Sequence, residues 1–196
     1  MHRQLLVLCL AAAVAGCNTV SNTLPPEQVA GFRLTAVNVG FAPNAKIGWG
    51  DGELAFAASK GVASHEVASV ADTPEAQAYL RNAVGAKVRD AMRRHLAVGL
   101  KGSRPVRVDV MVKEVYVSPV FQRVVVGGGA HVMLGDISLV DAKTGNALVV
   151  RPGFLATVGG AGGVVGVILD EAIHDAPIDR VTDAFAMRYS EWLLPK

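Results

Sequence analysis

Two cysteines, Cys9 and Cys17, are all that the 196-residue chain contains, and both fall within its first 17 residues. A folded domain built from the rest can hold no internal disulfide. Aromatic residues make up 6% of the chain, and 19 basic residues stand against 17 acidic ones, for a net charge of +2. So even a balance argues against a general nucleic-acid binder. Beyond Cys17 no apolar run is long enough to span a bilayer. Several catalytic signatures are missing as well. There is no Gly-x-Ser-x-Gly nucleophile elbow. The glycine-rich stretch from Thr157 to Ile173, TVGGAGGVVGVILDEAI, is followed by no Gly-Lys-Ser or Gly-Lys-Thr. A dinucleotide fingerprint fails there too: Gly160 and Gly162 fit its first two positions, the third falls on Val165, and no second strand follows. His65-Glu66-Val67-Ala68-Ser69 has serine where a zinc protease needs its second histidine, and Glu171 with His174 makes one half of a di-iron motif whose other half is absent. Ser64 beside His65 is adjacency in sequence, which does not make a catalytic hydrogen bond. His95 and His131 read as structural, because no converging partners can be named for either. No metal and no cofactor is expected.

What is present starts at the N-terminus. MHRQLLVLCLAAAVAGCNTVSN opens with His2 and Arg3, continues through ten apolar residues from Leu5 to Val14, and reaches small residues before Cys17. That is a signal-peptide layout. A ten-residue helix is about 15 Å long, half the hydrocarbon thickness of a bilayer, so the stretch is no permanent span. Val14-Ala15-Gly16-Cys17 resembles the lipobox of bacterial lipoproteins. The resemblance implies cleavage after Gly16 and acylation of Cys17, which also consumes the only thiol left in the mature chain. Several acyl chains together would hold the protein on a membrane where one binds only marginally. Asn18, in place of the aspartate that retains many lipoproteins in the inner membrane, implies the periplasmic face of the outer membrane.

Removing residues 1–16 leaves about 180, enough for one domain with a real core. Residues 17–31 are polar and proline-containing, and read as a lipidated cysteine with a flexible tether; the domain is expected over 32–196. Phe32 to Phe41 reads as a first strand, and Gly40 to Asp72 as a long connection with one short element near Leu54 to Ser59. Asp72-Thr73-Pro74-Glu75 starts a helix that carries Leu80, Val84, Val88, Ala91 and Leu96 to about Val98. RPVRVDVMVKEVYV alternates, with a phase slip at Lys113-Glu114 that suggests a bulge. A further strand is expected over Val124 to Val140, bent by Gly127 to Gly129. Asp141 to Asn146 is a turn, and Ala147 to Val158 a returning strand. From Asp175-Ala176-Pro177 onward, Ile178, Val181, Phe185, Tyr189 and Trp192 form one helical stripe. The order β-α-β-β-β-α predicts an α+β fold: an antiparallel sheet of about four strands with two main helices on it. The order, the turn and the glycine-rich approach to the last helix are similar to small uncharacterised cell-envelope lipoproteins, and more distantly to the sheet domain of the curli-secretion lipoprotein.

Two features carry the functional expectations. Arg81, Lys87, Arg89, Arg93, Arg94, Lys101, Arg104 and Arg107 face a single acid, Asp90, and Arg81, Arg89 and Arg93 lie at multiples of four on one helical face. That face suits an anionic surface; its bland alternative is a solvated helix, or pairing with Asp170, Glu171, Asp175, Asp179 and Asp183. The glycines Gly159, Gly160, Gly162, Gly163 and Gly166 suit close backbone packing, as a loop against the domain or a partner. The leading expectation is a non-enzymatic accessory lipoprotein that meets another envelope protein while held to the membrane by its lipid. The alternatives are a lipid-binding or lipid-shuttling module, suggested by the apolar stretch Val158 to Leu169, and a hydrolase using His65 or His174.

Overall fold

A computed structural model describes residues 22–126, 129–160 and 176–194. Four strands, β1 (Phe32–Trp49), β2 (Arg104–Val117), β3 (Gly129–Asp141) and β4 (Ala147–Gly160), form one sheet in the order β1-β2-β3-β4. The α+β class holds. The sheet is mixed, however: β1 runs parallel to β2, while β2–β3 and β3–β4 are antiparallel. A parallel neighbour requires a crossover, and the chain supplies one between β1 and β2. It contains α2 (Gly50–Ser59), a 3₁₀ turn at Ser64–Glu66, α3 (Ala68–Ala71) and the long α4 (Pro74–Ala97). Much of the stretch expected as a long connection is therefore ordered. β1 itself runs past Phe41 to Trp49 by absorbing an irregularity between Phe41 and Lys46, where Pro43 breaks the alternation.

The helix α4 begins as its sequence dictates, with the cap one residue later than expected. Thr73 accepts a hydrogen bond from the Ala76 amide and Pro74 opens the first turn. Its buried stripe is Ala76, Leu80, Val84, Val88, Ala91, Met92 and Leu96, and this face packs on β1 and on α6 (Pro177–Leu193). α6 buries Ile178, Val181, Phe185, Tyr189 and Leu193 against α4, β3 and β4. Ala176, not Asp175, occupies its N-cap position. In β2, Val106, Val108, Val110 and Val112 point to the helices and are fully or almost fully buried, and the register slips between Val112 and Glu114 where the phase change predicted a bulge. The sheet is thus the floor and α4 and α6 are the roof of one core. Val124 to Val126, expected to open a strand, instead close the helix α5 (Val120–Val126).

The β3–β4 turn shows how one side chain sets a local structure. Asp141 accepts hydrogen bonds from the Lys143 and Thr144 amides, and Gly145 takes the positive φ of 76° that closes the turn. Arg104, at the start of β2, adds two hydrogen bonds to the same carboxylate. The Arg104 bonds, followed by that from the Thr144 amide, hold the Asp141 carboxyl down at about 2. Because this folded-state value lies below the ordinary carboxylate value of about 3.9, the stabilisation is present above that value and lost as pH falls through about 2. Asp141→Asn is expected to lower the denaturation midpoint at neutral pH, with the gap to the parent closing between about pH 4 and pH 2. A pH-independent gap in chemical denaturation would contradict this assignment.

Tyr189 carries the opposite case. Burial pushes its phenol far above the ordinary tyrosine range, and the hydroxyl has no hydrogen-bond partner among the described residues. A buried donor without a partner costs stability. Tyr189→Phe is expected to leave stability unchanged or raise it by up to about 1 kcal/mol in thermal or denaturant unfolding.

The expected tether meets the fold earlier than Phe32. Asn22 donates a hydrogen bond to the Leu193 carbonyl, Leu24 packs on the core, and Pro26–Ala30 forms the short helix α1, which buries Val29. Of the segment 17–31, Asn22, Leu24, Pro26 and Val29 therefore sit at the C-terminal end of α6, and the Gly31 carbonyl accepts from the Ser103 and Arg104 amides at the start of β2.

Candidate functional site

The basic face of α4 is divided by its neighbours. On one flank of the buried stripe, Lys87 pairs with Asp179 at 2.6 Å, while Arg94 and His95 both reach Asp183, at 3.0 and 2.8 Å. Burial raises the Asp183 carboxyl, but the His95 and Arg94 hydrogen bonds outweigh it and hold the group below the usual carboxylate range. These residues join α4 to α6, as the pairing alternative for the cluster expected. Each such partly exposed ion pair is worth about 0–1 kcal/mol.

On the other flank the three arginines singled out by their spacing stand together. Arg81, Gly85, Arg89, Arg93 and Ala97 repeat every fourth residue along α4 and line a cleft against β1. Its larger part, about 610 Å³, is bounded by Val39 and Phe41 of β1 and by Ala78, Arg81, Asn82, Gly85 and Arg89 of α4. A second hollow of about 240 Å³ continues beside Leu34, Thr35 and Ala36, with Arg93 and Ala97 opposite. Helix and strand pack closely at Gly85, where a Cβ would meet the Phe41 ring at 3.5 Å, an ordinary van der Waals contact. The Arg81 guanidinium lies 5.9 Å from the centroid of that ring, and its Nε has no hydrogen-bond partner among the described residues. No acid among the described residues pairs with Arg81, Arg89 or Arg93. The arrangement is a cationic wall over an apolar strand, fit to bind an anion carried on an extended or amphipathic group.

The remaining sequence candidates separate. Cys17 lies outside the described residues, as do Gly162, Gly163, Gly166, His174, Asp170, Glu171 and Asp175. Gly159 pairs with Ala130 at the end of β4, and among the described residues a Cβ there would meet nothing within 4 Å. Gly160 does pack closely: a Cβ would come within 3.0 Å of Arg123 Cδ and 3.1 Å of His131 Nε2. His65 is exposed in its 3₁₀ turn, and among the described residues no three His, Cys, Asp or Glu side chains gather as a metal site would require. His131 is fully buried and accepts a hydrogen bond from the Ser118 amide at Nδ1, while the Ser118 hydroxyl donates to the Ala130 carbonyl. That hydroxyl is therefore engaged with backbone. Arg123, also buried beside Gly129 and Gly160, was not singled out in the sequence: one arginine in a run of valines carries no signal of burial.

No protein-family model and no curated protein matches the chain. Among solved structures, the chain is similar to a Caulobacter crescentus CB15 protein classed as a lipoprotein (20% identity, covering 56% of this chain and 80% of that one, TM-score 0.34). It is also similar to PelC of Paraburkholderia phytofirmans, solved as a dodecamer (11% identity, 85% and 91%, TM-score 0.40). A third similarity is to lipoprotein GNA1162 of Neisseria meningitidis (15% identity, 71% and 95%, TM-score 0.21).

Proposed function

We propose that this protein is a non-enzymatic accessory lipoprotein of the cell envelope, anchored through Cys17 at the periplasmic face of the outer membrane, whose domain contacts another envelope protein. The observation that supports it most is how little chain separates the lipobox from the fold. Asn22 already bonds the end of α6, so five residue steps connect it to Cys17. At 3.3–3.6 Å per residue those steps reach at most about 18 Å. An acylated Cys17 would therefore hold the domain against the bilayer rather than on a long leash. The pole nearest the lipid would be α1 and the end of α6, with Leu24, Trp192 and Leu194 around a small hollow of about 260 Å³. β1 starts at this pole and runs away from it, so the arginine cleft would extend from the membrane side into the periplasm.

The contact is tested by cross-linking and pull-down from detergent-solubilised envelopes, with a Cys17→Ser chain as control. An envelope protein recovered with the anchored chain and reduced with the control supports the reading. The same set of proteins recovered with both would overturn it.

A further inference from the structure

We infer that the cleft between β1 and α4 is a docking groove for an extended acidic segment of a partner protein, which adds as a fifth strand beside β1 and lays its carboxylates against Arg81, Arg89 and Arg93. The inference rests on the accessory-contact reading for the existence of a partner, and goes beyond it in naming the element that docks.

The first support is the edge itself. β1 is the outermost strand, and exposed strand edges are templates for pairing unless charge, proline or a covering element blocks them. Those devices sit at its ends. Arg33 stands at the start, Pro43 and Lys46 at the far side, but AVNVGF from Ala36 to Phe41 has neither charge nor proline. The chain's own residues already use the beginning of this edge. The Leu34 amide donates to the Leu100 carbonyl, the Gly102 amide donates to the Phe32 carbonyl, and Arg33 bridges Lys101 in antiparallel sense. A guest strand would continue this line along Ala36 to Phe41.

The second support is the match of lengths and charge. Ala36 to Phe41 spans about 17 Å of strand, and Arg81 to Arg93 spans about 18 Å of helix. The two run side by side, Phe41 opposite Arg81 and Gly85, Ala36 opposite Arg93. Alternating side chains of a strand point to one face, so acids at every second position would all meet the arginines. Strand addition of this kind takes affinity from main-chain hydrogen bonds and specificity from the side-chain wall.

The test uses the full chain in non-ionic detergent and, as probe, a fluorescein-labelled decapeptide of alternating glutamate and valine. Fluorescence anisotropy should show saturable, salt-sensitive binding, absent when lysine replaces glutamate. Two further peptides, N-methylated at alternate residues of one parity or the other, keep every charge but block one edge each; only one of them should bind. Arg89→Glu with Arg93→Glu should weaken binding at least about tenfold, and Arg89→Gln with Arg93→Gln less. Amide exchange at Ala36 to Phe41 should slow when the parent peptide is present. No binding at millimolar peptide, equal binding of both N-methylated peptides, or binding indifferent to charge reversal would overturn the proposal. So would phosphatidylglycerol vesicles that occupy the arginines and exclude the peptide, or self-association of the chain that Arg89→Glu with Arg93→Glu abolishes. None of these failures alters acylation of Cys17 or the pull-down, so the two readings fall separately.

Discussion

Phe185→Ala is expected to lower the unfolding free energy by about 3–5 kcal/mol. Phe185 is fully buried on α6, where its ring meets Phe154 of β4 edge to face, with centroids 5.2 Å apart at 73°. Phe154 in turn meets Tyr189 at 5.9 Å and 80°, so one ring of Phe185 supports a relay of aromatic contacts between the sheet and α6. The floor beneath it is Gly135 of β3, where a Cβ would meet the ring at 3.5 Å, an ordinary contact, and the Met111 carbonyl oxygen at 2.9 Å. With no side chain at Gly135 to lean inward, the space left by alanine would stay largely empty, which is the condition for a large cavity cost. For a domain of this size each kcal/mol shifts the melting temperature by about 2–4 °C, so a drop of roughly 10 °C is expected in thermal unfolding. Met111→Ala, on the outer face of the sheet and 44% exposed, should change stability by less than about 0.5 kcal/mol. Equal effects from the two would contradict the placement of the core between sheet and helices.

Cys17→Ser should have the largest functional effect, because it would remove the whole of the proposed anchor and leave the folded domain unchanged. Each buried methylene contributes about 0.8 kcal/mol, so losing several acyl chains would turn the proposed permanent attachment into none. Among the described residues no helix is long and apolar enough to cross a membrane, so no such element there would compensate. Confinement also raises the effective concentration of a partner held in the same membrane, so binding through the arginine cleft would weaken even though Cys17 touches nothing in it.

Much of this architecture is written locally in the chain. The spacings of four and three residues among Leu80, Val84, Val88 and Ala91, with Leu96 eight beyond Val88, give α4, and the alternation of Val106, Val108, Val110 and Val112 gives the inner face of β2. Asp141 announces its turn because one carboxylate satisfies two following amides. Other features depend on partners far away in sequence. The direction of β1 relative to β2 follows from the crossover through α4, which an element order alone does not orient. VFQRVVV has strand propensity and becomes α5, a case of surroundings overriding a weak local preference. β1 extends beyond Phe41 because β2 goes on pairing with it through Ile47–Val115 and Trp49–Val117, despite the interruption near Pro43.

The arginines show the same division. Their spacing placed Arg81, Arg89 and Arg93 on one face without saying what that face would meet. The answer required two strands of information that lie elsewhere: Asp179 and Asp183, which claim Lys87, Arg94 and His95, and β1, which supplies the opposite wall. Only after that partition does the cluster become a cleft.

Metabolic labelling with an alkynyl fatty acid, comparing the parent chain with Cys17→Ser, tests the central claim most directly. The expected result is a labelled parent that fractionates with the outer membrane and an unlabelled variant that does not. Undiminished labelling and unchanged fractionation of the Cys17→Ser chain would contradict it.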